Sequence, residues 1–304
     1  MSIPRDHHYL PKFYLERWAP RGRLVRFTRL KGEEGLLIAE DKTPKRIAYL
    51  PDLYHFPDVA DPYESQHLEL RVFQRIDNEA SEALKILDAN QPLDVRYRTA
   101  LVRFVVSLWH RSPSRLRAIR QYLATQGDGS PFIGLQADEV EVGLKAAANR
   151  LLERLVGSSY VEMMSRLVPH RLLLPPGSKR LLTSDRPATM SAQLTSADAF
   201  MLLPYGPDRL IVFARLASIA QSFAVQRPND LVYGINKAVV EQAEDLVIGS
   251  DRAALKMIDR VFLRNASGKT FDIMGHIRRR APIFTVHPTT SQIRKESEFR
   301  IPFR

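Results

Sequence analysis

Apolar residues recur at helical spacing over much of the first half of the chain. From Tyr63 to Asn90, Leu68, Val72, Ile76, Ala80, Ala83, Leu84 and Leu87 mark one face of a helix. Leu101, Phe104, Val105, Leu108 and Trp109 mark a second, within a helical stretch running from Arg96 to Gln126. Pro113 is expected to kink or split that stretch, because proline lacks the amide that an interior turn needs. Asp138–Arg166 is helical again, with a break expected at Gly157-Ser158-Ser159. Gly127-Asp128-Gly129-Ser130-Pro131 is a loop by composition.

The pattern changes after Pro169. Arg171–Leu174, Arg180–Thr183, Phe200–Leu203 and Arg209–Phe213 are short apolar runs set apart by proline and glycine, which predicts strands. Tyr205-Gly206-Pro207-Asp208 predicts a hairpin between two of them. A helix is expected over Leu231–Ser250, with Ile235, Val239, Ala243 and Val247 near one face, followed by a strand at Arg260–Leu263. Near the start, Tyr9, Phe13, Tyr14 and Trp18 cluster, Leu24–Thr28 has strand character, and Ile47–Leu50 reads as a second short strand. The sum is an α+β chain: an N-terminal helical part, then a mostly antiparallel sheet with a packed helix. The segments divide as 1–60 (aromatic opening and short strands), 61–168 (helical), 169–264 (sheet-rich) and 265–304 (basic tail), within a single module.

Charge sharpens this picture. The 304 residues carry 45 Lys+Arg against 34 Asp+Glu, a formal +11. Seven arginines and no acid lie between Arg96 and Arg120, and nine basic residues against three acids lie between Arg264 and Arg304. The remainder is close to neutral. Arg96, Arg103, His110 and Arg117 recur every seven residues, a spacing that suits either a phosphate-binding stripe or a solvated helix face. The second basic stretch suits a tail that touches polyanions or packs back through its own apolar residues.

No cysteine is present, so disulfides, thiolate metal sites and cysteine nucleophiles are excluded. Any metal would be held by His, Asp and Glu. The first residues lack the apolar core of a secretory signal and no run of about 18 apolar residues occurs, so a cytosolic protein with no transmembrane helix is the expectation. Gly268-Lys269-Thr270 imitates the end of a phosphate-binding loop, but Leu263 stands where the first glycine is required.

Several residues carry candidate chemistry. His7 and His8 titrate near neutrality and would supply a metal ligand and a general base, or else one is a core histidine and the other is solvated. In an extended chain they point to opposite sides, so at most one serves a given pocket. Glu69 and Asp77 stand eight residues apart on one helix, some 80° apart at about 100° per residue, so either they border one groove without chelating together or each is a solvated carboxylate or a salt-bridge partner of a nearby arginine. Asp185, in Thr183-Ser184-Asp185-Arg186-Pro187, is either a ligand or base at a strand end or the side chain that holds a turn. Arg111 interrupts an apolar helix and needs a carboxylate partner, for which Glu69 or Asp185 is the natural candidate.

These landmarks together resemble a known family. His7-His8-Tyr9-Leu10-Pro11-Lys12-Phe13-Tyr14-Leu15, followed by Arg17-Trp18, is similar to the H-H-x-x-P-x-x-Y-L opening of the domain-of-unknown-function 4238 family. Leu53-Tyr54, Glu69 with Ile76-Asp77, Arg111-Ser112-Pro113, Thr183–Pro187, Pro204 and Ile235-Asn236 resemble its later landmarks in order. Asp77 stands where that family more often has Glu, and Pro169-His170-Arg171 where it usually has a Trp. The resemblance runs from residue 7 to about 250 and implies one soluble module without assigning a reaction. It draws attention to His7, His8, Tyr14, Glu69, Arg111 and Asp185.

Two functions follow as expectations. One is a metal-dependent hydrolase of an anionic phosphodiester, most plausibly a nuclease. In it His8 (or His7), Glu69 and Asp185 hold a divalent ion such as Mg or Mn, and Tyr14, Arg103, Arg111 and Arg117 bind the substrate. The other is a non-catalytic module that binds nucleic acid or another polyanion through its arginines.

Overall fold

A computed structural model describes residues 5–30, 35–124, 136–157, 159–191 and 196–262. The Gly127–Pro131 loop and the basic stretch after residue 262 lie outside the described residues. The order is β1 (Asp6–His8), α1 (Lys12–Leu15), β2 (Leu24–Arg29), β3 (Leu37–Lys42), β4 (Tyr49–Pro51), α2 (Gln74–Asp88), α3 (Val95–His110), α4 (Pro113–Ala124), α5 (Ala137–Val156) and α6 (Ser159–Met164). Then come β5 (Val168–Leu173), β6 (Thr183–Ser184), β7 (Thr189–Met190), β8 (Phe200–Gly206), β9 (Arg209–Ala214), α7 (Ala217–Ala224), α8 (Pro228–Gln242), β10 (Val247–Gly249) and α9 (Leu255–Val261). The fold is α+β, and its sheets are antiparallel.

Local chemistry sets many of the boundaries. The Asp94 carboxylate accepts the Tyr97 amide at 2.9 Å and starts α3. Pro113 splits the basic stretch as expected, because it opens α4, where a missing amide costs nothing. A break also falls between α5 and α6, and Pro207-Asp208 makes the tight turn between β8 and β9.

Strands β5-β9-β8-β7 form one four-stranded sheet. Met201, Leu203, Tyr205, Ile211 and Phe213 face the main core with α2 and α3, whereas Phe200, Leu202, Leu210 and Val212 face a second cluster with α7 and α8. Burial on both faces explains why these strands read as continuous apolar runs rather than alternating ones. The other four-stranded sheet has the order β3-β2-β10-β6.

The early strand expected at Leu24–Thr28 is β2, which with β3 shares a sheet with β10 and β6. Three expectations need correction. The early short strand is Tyr49–Pro51 rather than Ile47–Leu50, because Ala48 takes a left-handed backbone (φ 54°) that ends any extended run. The helix expected to Ser250 ends at Gln242, and Val247 lies in β10, paired with Phe27 and Ser184. Arg260–Val261 closes α9 instead of forming a strand, since Ile258 and Phe262, four residues apart, pack together under β2 and β10.

The segment before α2 is also irregular. Leu68–Phe73 is a π-helical turn, so the 100° spacing applied to Glu69 and Asp77 does not hold across it.

Candidate functional site

The site is built around Arg111. Its side chain is fully buried (0% exposed). Nε donates to the Tyr9 carbonyl at 3.0 Å, and Nη1 donates to Asp77 Oδ1 at 3.0 Å. The guanidinium lies over Phe73 and Phe104, at 5.3 and 5.8 Å from the ring centroids. Its backbone is held too: the Arg111 amide donates to the Ser107 carbonyl and the Tyr54 hydroxyl donates to the Arg111 carbonyl at 2.7 Å. Asp77, not Glu69 or Asp185, is the carboxylate partner. Arg111 is enclosed, whereas Asp77 keeps 22% of its side chain exposed.

Arg111 Nη2, Glu69 Oε2 and His8 Nε2 are each buried without a hydrogen-bond partner. Burial raises the Glu69 carboxyl to about 7, the Arg111 charge pulls it back down, and Asp77 pushes it further up. Burial also raises Asp77, against the pull of Arg111. His8 is lowered, chiefly by burial and in small part by Arg111, while backbone hydrogen bonds with Lys45 and Asp6 oppose the shift. One guanidinium therefore acts on His8, Glu69 and Asp77 together.

The two histidines separate as an extended strand requires. His7 is in the core, stacked on Tyr54 with ring centroids 5.5 Å apart, and its Nδ1 accepts the Tyr54 amide at 3.0 Å. His8 is half-buried and packs on Tyr49. Strand β1 pairs with β4, so His7 lies opposite Leu50 and His8 opposite Tyr49.

The other expected site residues lie elsewhere. The Tyr14 ring is fully buried, and its hydroxyl donates to the Pro204 carbonyl at 2.7 Å and meets Thr183 Oγ1 at 2.8 Å. It joins α1 to β6 and β8 rather than presenting a hydroxyl to a substrate. Asp185 is buried, and its oxygens accept the amides of Asp245 (2.7 Å) and Glu244 (3.1 Å). That carboxyl holds the chain where α8 ends, so the turn-holding alternative describes it. Burial raises it to about 7 despite the two amides. The Tyr9 hydroxyl is raised by burial first and then by the charges of Asp185 and Asp245.

The arginine stripe is interrupted. Arg96 is exposed, Arg103 is half-buried and within 3.4 Å of Glu79, His110 is buried, and Arg117 lies on the next helix, 3.7 Å from Asp245. The chain from Phe104 to Ser114 is buried throughout, so no continuous basic face runs along α3.

As a ligand set, His8, Glu69 and Asp185 fit a divalent ion poorly. Asp185 is engaged by two amides of the α8–β10 connection, and the other two face a guanidinium that would repel a cation. Among the described residues, no three His, Asp or Glu side chains form a group that could hold a metal. No described helix is long and apolar enough to cross a membrane.

The sequence pattern of a family described as "Protein of unknown function (DUF4238)" matches residues 6–253, which is most of the chain. The chain belongs to this family. No curated protein and no solved structure matches it. The DUF4238 match takes in β1, the π turn, the Arg111 step and the Asp185 turn, and ends shortly after β10. The salt bridge to an arginine that the sequence allows for Glu69 or Asp77 is made by Asp77, although the partner expected for Arg111 is Glu69 or Asp185.

Proposed function

We propose that this DUF4238 chain hydrolyses a phosphodiester in an anionic substrate, with nucleic acid the first candidate, at the site formed by His8, Glu69 and Arg111. One observation carries the reading. A fully buried arginine keeps one nitrogen, Nη2, unpartnered beside a carboxyl that burial raises to about 7. A guanidinium whose other donors are fixed is a preorganised clamp for a phosphate oxygen. A carboxyl that titrates near neutrality is a proton donor at working pH.

The roles follow from protonation state. Neutral His8 takes a proton from water through Nε2 as the water oxygen bonds to phosphorus. Protonated Glu69 gives its proton to the departing alkoxide as the P–O bond breaks. Arg111 Nη2 neutralises charge on a non-bridging oxygen. No step is routed through a metal ion.

This mechanism fixes the pH profile. Activity needs His8 neutral, so it falls below the lowered histidine pKa. It also needs Glu69 protonated, so it falls as pH rises through about 7. The test is turnover of single-stranded RNA and DNA by purified protein, Glu69→Gln and His8→Ala, each with and without divalent cations. Loss of about 100-fold or more in both variants, with their melting transitions retained, is expected. A Glu69→Gln enzyme as fast as wild type, or no turnover of either polymer by wild type, would overturn the proposal. Salt-sensitive binding without turnover would instead identify the polyanion-binding module.

A further inference from the structure

A second cluster of arginines lies outside this site. Arg17 follows α1, Arg171 is on β5 and Arg209 is on β9, and all three gather on the last residues of α2. Arg17 donates to the Asp88 carboxylate through both terminal nitrogens, and Arg209 Nη1 lies 2.9 Å from Asp88 Oδ1. Arg171 donates to the Asp88 carbonyl at 3.0 Å and to Asn90 Oδ1 at 3.0 Å. Beside them Arg209 also lies 3.5 Å, and Arg180 3.8 Å, from Asp208. Four arginines thus surround two carboxylates, a local excess of two positive charges. Some of that excess answers the negative C-terminal end of α2, but a helix end is equivalent to only about half a charge.

A tyrosine lies at the centre of the cluster. Tyr205 is fully buried, the Arg17 guanidinium sits 5.0 Å above its ring, and its hydroxyl has no hydrogen-bond partner. The charges of Asp88, Arg17, Arg171 and Arg209 all act on that hydroxyl. A buried phenol left unpartnered among surplus guanidinium groups is costly unless something else accepts its proton. Arg171 Nε is likewise buried and unpartnered. Arg209, at 40% side-chain exposure, reaches solvent.

We propose that Tyr205, Arg17, Arg171 and Arg209 form a phosphate-binding site distinct from the Arg111 site. A phosphate oxygen displaces the Asp88–Arg209 contact, accepts the Tyr205 hydroxyl and is neutralised by the arginines. The site does not depend on the proposed hydrolysis. The phosphate belongs either to a small phosphorylated molecule or to a nucleic-acid backbone.

The experiment is a titration of the full chain with inorganic phosphate, read as a shift in melting temperature and by calorimetry, with chloride at matched ionic strength as control. Wild type is stabilised by phosphate beyond chloride. Arg209→Gln removes only a partly exposed group, folds, and binds phosphate about tenfold more weakly, the worth of one charge-assisted hydrogen bond. Tyr205→Phe removes a buried hydroxyl that has no internal partner, so without phosphate it melts no lower than wild type, yet it binds phosphate more weakly. A short oligonucleotide that displaces phosphate identifies the backbone as the source; a phosphate effect it leaves untouched identifies a small ligand, and either outcome upholds the site. A wild-type response no larger than that to chloride, or an unchanged response in Arg209→Gln, overturns it.

Discussion

At Glu69, burial and a neighbouring charge pull in opposite directions, and burial wins. The folded carboxyl titrates near 7 against an ordinary value of 4.5. The folded state therefore holds a proton that the unfolded chain has already lost between those values. Stability contributed by this residue is present below about 4.5, falls as pH climbs, and reaches its lower plateau above about 7. Glu69→Gln keeps the shape and removes the titration. Its melting temperature should rise relative to wild type across that window, by an amount corresponding to at most about 3.4 kcal/mol, and the difference should stay constant above it. Asp185 also titrates near 7 but is present in both proteins, so it cancels in the difference. A difference that does not change between pH 4.5 and 8 would show that Glu69 is not held protonated beside Arg111.

Between elements, much of the tie is made by single polar atoms from distant segments. The Tyr14 hydroxyl donates to the Pro204 carbonyl, so the Thr183 hydroxyl is left to donate to Tyr14, and one phenol joins α1, β6 and β8. Tyr14→Phe leaves both partners buried and unsatisfied. It should lower the urea midpoint by the equivalent of about 1–3 kcal/mol with an unchanged slope, and an unaltered midpoint would count against the tie. The same ties decide what could be read from the sequence. Helices α3, α4 and α5 and strands β8 and β9 were legible because their own apolar spacing and Pro113, Gly157 and Pro207 define them. The end of α8 was not, because the Asp185 carboxylate and the pairing of β10 stop it, and both arrive from far along the chain. Arg111 was legible as a polar residue needing a partner. Its partner was not, because apolar spacing does not say which acid of a distant segment meets it, and the one that does is Asp77.

Across the whole molecule, just over half of the surplus charge follows Phe262, the last described residue. Among the described residues the apolar clusters reach as far as Phe262, and the family match ends at residue 253. The stretch from Arg264 to Arg304 carries nine basic residues and three acids, so a chain ending at Phe262 falls from +11 to +5. That shortened chain should melt as one cooperative unit close to the full-length temperature. Each phosphate contact made by a basic side chain adds roughly 0.7–0.9 to the slope of log binding constant against log salt. If residues 263–304 provide the general polyanion affinity, the shortened chain binds nucleic acid with a visibly shallower slope. Contacts made through Arg111 or the Arg17–Arg171–Arg209 cluster persist in it, because those residues are all retained. An unchanged slope would place all the anion contacts on the folded body, and make the buried arginines, rather than the basic stretch, the reason for any affinity.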